Sequence, residues 1–249
     1  MRSARHDPSC RKGTEGDPAA SVAPLLRSTR TGRAPVTGSR TVLVPRERVV
    51  RWFDNFATGH GDTVYSVASD GLHATAVDGA SAAARLPFGE GYDGPADPAA
   101  FAAAVTMPVR WGILLVRKGG FAVATVVRGQ VAESKVGQRH VQGRTKAGGQ
   151  SQQRFARRRD NQTRQAYEAA AEHAHRVLAG PLDALVCGGD RSAVEAVLSD
   201  ARLRALALLR VDPWLDVPDP RRAVLHRAVA DGGSVAVTVT DTPRLPTSS

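Results

Sequence analysis

"LDALVCGGDRSAVEAVLSD", Leu182 to Asp200, changes its apolar pattern across a pair of glycines. Its first half reads as a strand and turn, its second as a helix. Gly188-Gly189-Asp190 lies between them. Such a turn can cradle a phosphate, but a tight strand-to-helix turn with Asp190 as helix cap is the simpler account. Downstream, "LRALALLRV" is ambiguous between strand and helix. "DPRRAVLHRAVADGG" is a helix with Pro220 near its start and Gly232-Gly233 past its end. "SVAVTVT" alternates as a strand. Strand and helix in turn predict an α/β layer fold. No internal repeat is found.

Upstream, "VRWGILLVRKGGFAVATVVRGQVAESKVGQR" predicts two or three antiparallel strands, with turns at Lys118-Gly119-Gly120 and Arg128-Gly129-Gln130. "RHVQGR" can continue the sheet. Beyond Gly148-Gly149, residues Gln153 to Leu178 read as one long helix, with Phe155, Tyr167, Ala170, Ala174, Val177 and Leu178 at partial helical spacing and Gly180-Pro181 as its stop. "AAFAAAV" is a short helix after the linker-like "GYDGPADP". Further back, Val42–Val44 is a short strand. The helix after it carries Val49, Val50, Phe53 and Phe56 and ends near Gly59 and Gly61. Asp70-Gly71 and Asp78-Gly79 then punctuate a meander of hairpins. The expected organisation is a disordered basic arm over 1–40, a small α+β subdomain over 41–93, an α/β domain over 94–241 and a loose tail over 242–249.

The chain has 249 residues, 42% of them apolar and 23% charged. That balance is ordinary for a globular domain. Aromatics are only 5%, so the core is expected to be Ala, Val and Leu. The longest apolar runs, such as Gly112–Val116, are too short to span a bilayer. No apolar segment follows the basic N-terminal residues, so no secretory signal is expected. Cys10 and Cys187 suggest neither a disulfide framework nor a metal site, and a cytoplasmic home is expected.

The net charge of +10 is unevenly placed. Residues 1–40 carry eight Arg/Lys against three Asp/Glu, and residues 135–164 carry nine against one. The remainder is therefore mildly acidic, and two basic segments are attached to it. Clustered positive charge is the footprint of a polyanion, most often nucleic acid. A solvated arginine-rich surface is the plain alternative.

Familiar catalytic motifs are missing: the chain has no HExxH and no CxxC. His173 and His175 lie two apart on a helix and diverge, so they are poor joint metal ligands. His60 and His140 have no evident partners. Gly143–Gly148 spells GxxxxG, but Gly149-Gln150 follows where a phosphate loop needs Lys and Ser or Thr. What remains is "VQGRTKAGGQSQQRFARRR", Val141 to Arg159. Adjacent glycines let backbone approach a ligand closely. A glutamine amide donates and accepts hydrogen bonds at once and can orient a water. The arginines behind it suit phosphates. A merely polar loop before a basic helix is the competing account.

The stretch "SKVGQRHVQGRTKAGGQSQQRFARRRDNQ", Ser134 to Gln162, closely resembles the signature of the actinobacterial Vms-like release factors, a family of peptidyl-tRNA hydrolases. The resemblance extends to "RWFDNFATGHG", "LLVRKGGFAVA", "LVCGGDRSAV" and "VPDPRRAVL", so it covers most of 41–240. It implies an RNase H-like α/β fold, a mixed sheet flanked by helices, similar to the catalytic domain of eukaryotic and archaeal class I release factors. It also implies a Gly-x-x-Gln loop, here within 143–153. The motif falls on Gly149-Gln150-Ser151-Gln152 and makes Gln152 the catalytic candidate. Gly148-Gly149-Gln150 spells the release-factor triplet one register earlier, and the family favours an aromatic where Gln150 stands. Gln150 is then either a coincidence or an alternative water-orienting amide; Gln153 is a weaker substitute.

On this resemblance Gly148 and Gly149 fit the loop into a narrow RNA cavity. Arg144, Lys146, Arg154, Arg157, Arg158 and Arg159 bind phosphates. The implied partners are the large ribosomal subunit with its 23S rRNA and peptidyl-tRNA. The implied activity is ester hydrolysis that frees stalled nascent chains. No cofactor, no metal and no membrane is implied, and a monomer is expected. Three other readings stay open. They are a non-catalytic rRNA-binding protein, an endonuclease that removes the tRNA 3′ CCA with the peptide, and a hydrolase acting on free peptidyl-tRNA.

Overall fold

The computed structural model describes residues 38–69, 71–118, 120–138 and 150–241, with side chains described from 161 onward in the last span. Among these residues the chain forms two five-stranded sheets with helices on their faces, a mixed α/β architecture. The first sheet is antiparallel throughout. Its strands are β1 (Ser39–Val44), β2 (Thr63–Ala68), β3 (Gly71–Ala76) and β4 (Ser81–Arg85), joined by β10 (Val235–Thr240) from far along the chain. The order is β1-β10-β4-β3-β2. Gly79, at φ +85°, makes the tight reversal between β3 and β4.

Helix α1 (Val49–His60) buries Val49, Phe53 and Phe56, one apolar stripe, on this sheet. Gly61, at φ +87°, ends it and donates its N–H to the Ala57 carbonyl at 2.8 Å. The short α2 (Pro98–Ala103) has Pro98 in its first turn and Asp97 as cap, which accepts the Ala100 N–H at 2.7 Å. Phe101 of α2 is fully buried with Phe53, Leu72 and Val237, and Tyr92 meets it edge-on at 4.8 Å. Truncating either buried Phe to Ala would cost about 3–5 kcal/mol by the usual cavity cost.

The second sheet runs β7 (Gln130–Gln138), β6 (Gly120–Val127), β5 (Arg110–Arg117), β8 (Ala184–Gly189) and β9 (Arg210–Leu215). Strands β5, β8 and β9 are parallel; β6 and β7 are antiparallel additions. β5 and β6 are apolar almost without interruption because both faces are covered. Leu114 and Val116 face one layer with α3 (Gln150–Val177) and α4 (Arg191–Leu198). Trp111, Ile113 and Leu115 face the other, where α6 (Arg222–Gly232) brings Leu225 and Ala228. Thr125 is polar and buried, and its hydroxyl donates to the Val177 carbonyl at the end of α3. Phe88 packs edge-on against Trp111 at 5.2 Å and ties the second core to the loop after β4.

Several elements depart from the sequence expectation. Val235–Thr240 was expected within the 94–241 domain, but it pairs between β1 and β4. An alternating strand states which face is apolar and not which sheet it joins. Likewise α2 contributes to the first core although it follows the expected boundary at 93/94. The ambiguous "LRALALLRV" divides into α5 (Arg204–Leu208) and β9. Pro213 is tolerated there because β9 is an edge strand. Helix α3 begins at Gln150 and not at Gln153. The expected disordered arm, apart from its last residues, the extension of the sheet through "RHVQGR" and the tail over 242–249 lie outside the described residues.

Candidate functional site

The parallel trio β5, β8 and β9 ends along one edge of the second sheet, and ligands of open α/β sheets bind beyond such carboxyl ends. Gly189, at φ +89°, ends β8 there. A Cβ on it would collide with the Val116 carbonyl, so no other residue fits without displacing β5. The turn is pinned by the Asp190 N–H, which donates to the same carbonyl at 2.8 Å. Asp190 occupies the cap position of α4, as expected, but its carboxylate makes no capping bond.

That carboxylate turns to Arg117 instead, 3.6 Å away. Arg117 ends β5, donates to the Val217 carbonyl at 2.6 Å and lies 4.0 Å from Asp216. Trp214 of β9 donates its indole N–H to the Gly189 carbonyl at 3.2 Å, and the Arg191 guanidinium stands 4.4 Å above its ring. The three parallel strand ends are thus cross-linked by one polar network. From the helical side, α3 adds Tyr167. Burial, with a smaller contribution from the Asp190 charge, raises its phenol above the usual range.

Beneath α3 a cleft of about 500 Å³ opens beside the network, lined by Val116, Arg117, Phe121, Gly137, Tyr167 and His173 among others. His173 stacks on Phe121 with ring centres 5.5 Å apart. Its imidazole pKa is lowered, first by burial and then by the cations Arg176 and Lys135, against a smaller pull from Glu172. Gly137 has no room for a side chain because the Phe121 ring lies against it.

The last strand before the glycine-glutamine segment ends at this edge. β7 ends at Gln138, which pairs with Gly120, and Gly120 pairs with Arg117. β7 therefore ends beside the Arg117 network, and the next described residue, Gln150, opens α3. Gln150 and Gln152 stand in the first turn of α3, and Arg154, Arg157, Arg158 and Arg159 in the following turns. Their side chains, and all of Arg144, Lys146, Gly148 and Gly149, lie outside the described residues, as does His140. Along α3 the first buried residue beyond that is Ala170. Gln152 is eighteen positions ahead of it, about 27 Å at 1.5 Å per residue.

The family model described as the Actinobacteria/chloroflexi VLRF1 release factor matches residues 109–238. The chain belongs to this family. The VLRF1 match takes in the second sheet, the network, α3 and most of β10, and leaves the first four strands outside. Membership makes this a translation-related, release-factor-like protein. A search of curated proteins finds no match. Among solved structures, the archaeal translation termination factor aRF1 is similar at 12% identity and a TM-score of 0.35, over 80% of this chain and 68% of that one. Pelota from Archaeoglobus fulgidus is similar at 13% identity and a TM-score of 0.26, over 78% of this chain and 63% of that one. Among the described residues no helix is long and apolar enough to cross a membrane.

Sequence reading missed Arg117, Asp216 and Trp214 altogether. Recognising that β5 and β8 are parallel neighbours would have found Arg117, since their carboxyl ends then share an edge. His60, which had no evident partner in sequence, lies 2.9 Å from the Asp78 carboxylate.

Proposed function

We propose that this VLRF1-family chain hydrolyses the ester that joins a stalled nascent peptide to tRNA on the large ribosomal subunit. The observation that carries the proposal is Gly149-Gln150-Ser151-Gln152 at the junction of the β7–α3 connection with α3, within a chain of a release-factor family. Gln152 orients a water by donating and accepting hydrogen bonds through one amide. The water oxygen attacks the ester carbonyl carbon, and the bond to the ribose oxygen breaks. One water proton ends on that ribose hydroxyl, and the peptide leaves as a carboxylic acid. An amide cannot take the proton at neutral pH, so RNA groups around the site carry it. Arg144, Lys146, Arg154 and Arg157–Arg159 grip phosphates and fix the register of the amide. Gln150 is the alternative amide, one register earlier.

The test is release of nascent peptide from a purified large subunit carrying peptidyl-tRNA. Gln152→Ala is expected to slow release about a hundredfold, the scale on which lost positioning acts, and to leave subunit binding intact. Equal release by Gln152→Ala transfers the role to Gln150 or Gln153; loss in none of the three single variants refutes catalysis by the segment. Mass analysis of the freed peptide separates the chemistries. A free carboxyl terminus supports hydrolysis, and a retained CCA group replaces it with cleavage of the tRNA chain.

A further inference from the structure

The first lobe carries a groove of about 1160 Å³ between α1 and the β1 edge of its sheet, outside the span matched by the family model. On β1, Arg40 and Val42 are two apart and share a face. On the other wall Arg48, Arg51, Trp52 and Asn55 follow the i, i+3, i+4, i+7 pattern of one helical face, from the cap of α1 inward. Three guanidinium groups line this groove and no carboxylate does. The acids nearest in sequence look elsewhere. Glu47 lines a separate cleft with Trp111 and His226, and the charge of Asp54 acts on Tyr65. Among the described residues no ion pair engages Arg40, Arg48 or Arg51.

Trp52 is half-buried and held on two sides. Its ring stacks on Phe56 at 5.8 Å with planes 15° apart and meets Phe53 edge-on at 5.1 Å. Such a ring is a fixed platform that loses little entropy when another flat ring covers it. Unpaired cations, a fixed indole and the Asn55 amide are what an unpaired nucleotide strand needs: phosphate contacts, a stacking surface and a base-edge hydrogen bond.

We propose that this groove is a second RNA-binding surface. It takes a strand with unpaired bases, the phosphates on Arg40, Arg48 and Arg51 and a base against Trp52. A lipid surface fits less well, because interfacial binding needs exposed apolar groups around the cations, and Val42 and Val44 lie at the groove's partly buried floor. The chain's own segment 1–37 fits less well too, since it carries seven Arg/Lys against three Asp/Glu. The proposal stands on the chemistry of the groove. Only the source of the strand, ribosomal RNA, rests on the function proposed above.

The experiment titrates the full chain against a fluorescent single-stranded RNA of about 12 nucleotides, of the length one binding module covers, over a range of salt. Parallel titrations use phosphatidylserine vesicles and poly-glutamate. Arg48→Glu/Arg51→Glu is expected to weaken RNA binding about tenfold or more. It should also lower the slope of log affinity against log salt by about 1.4, about 0.7 for each lost contact to a single strand. Bromouridine placed in the RNA should cross-link to Trp52, and Trp52→Phe, which keeps a ring, should bind better than Trp52→Leu. Unchanged affinity and slope with no cross-link at Trp52 overturns the proposal. A loss confined to vesicles or to poly-glutamate overturns it in favour of that partner. The groove variants should keep the wild-type release rate at saturating subunit, and Gln152→Ala should keep groove binding. If none of Gln150→Ala, Gln152→Ala and Gln153→Ala slows release while the groove variants lose RNA, catalysis by the glutamine segment falls and the groove stands.

Discussion

His173 shows how one residue reports on its surroundings. It is stacked on Phe121 below α3, and burial, Arg176 and Lys135 all oppose its protonation in the folded chain, Glu172 only partly offsetting them. Its folded pKa therefore lies below its unfolded value of about 6.5, and the unfolded chain binds the proton more readily. The stabilisation that follows is complete above that value and is lost as pH falls through the lowered folded pKa. Urea unfolding at successive pH values should show stability declining below about pH 6.5, and His173→Gln should decline less steeply. Cys187 belongs to the same layer, and burial pushes its thiol up to about 12, so it serves packing and not nucleophilic chemistry.

At the scale of elements, α3 is anchored by small side chains. Ala170, Ala171 and Ala174 are buried against the second sheet and let the helix lie close to it. Ala174→Leu inserts a branched chain where none fits and is expected to cost about 1–3 kcal/mol, read as a lower Tm. The helix was legible in the sequence from its apolar spacing, and so were α1, α6 and the β2–β3–β4 meander, because each is a local period. The start of α3 was misplaced by three residues: "QSQQ" carries no apolar mark at all. The Arg117–Asp190–Asp216 network was illegible for a different reason. Its members are 26 to 99 positions apart in sequence, and only the parallel pairing of β5 with β8 and of β8 with β9 gathers them. The glycine-glutamine segment stood out by composition, whereas the groove beside Trp52 did not, since its arginines are spaced like any solvated helix face.

For the whole molecule, the decisive feature is β10. It lies between β1 and β4 and supplies both with hydrogen bonds along its length, with Val237 at the centre of the first core. A chain ending at Gly233 should leave two open strand edges in the first sheet, and open edges pair with other chains. Such a variant is expected to aggregate and to lose protease resistance over 39–105, whatever the state of the second sheet. Limited proteolysis followed by mass spectrometry checks this. Survival of 39–105 as a resistant fragment would contradict it.

During synthesis this has an odd consequence. Residues 39–85 emerge early, yet the strand that completes their sheet is among those made later, at 235–240. The lobe must wait, its middle vacant, through the making of some 150 intervening residues. A ribosome that halts anywhere between those strands thus holds a chain whose first lobe is unfinished, however complete its early strands.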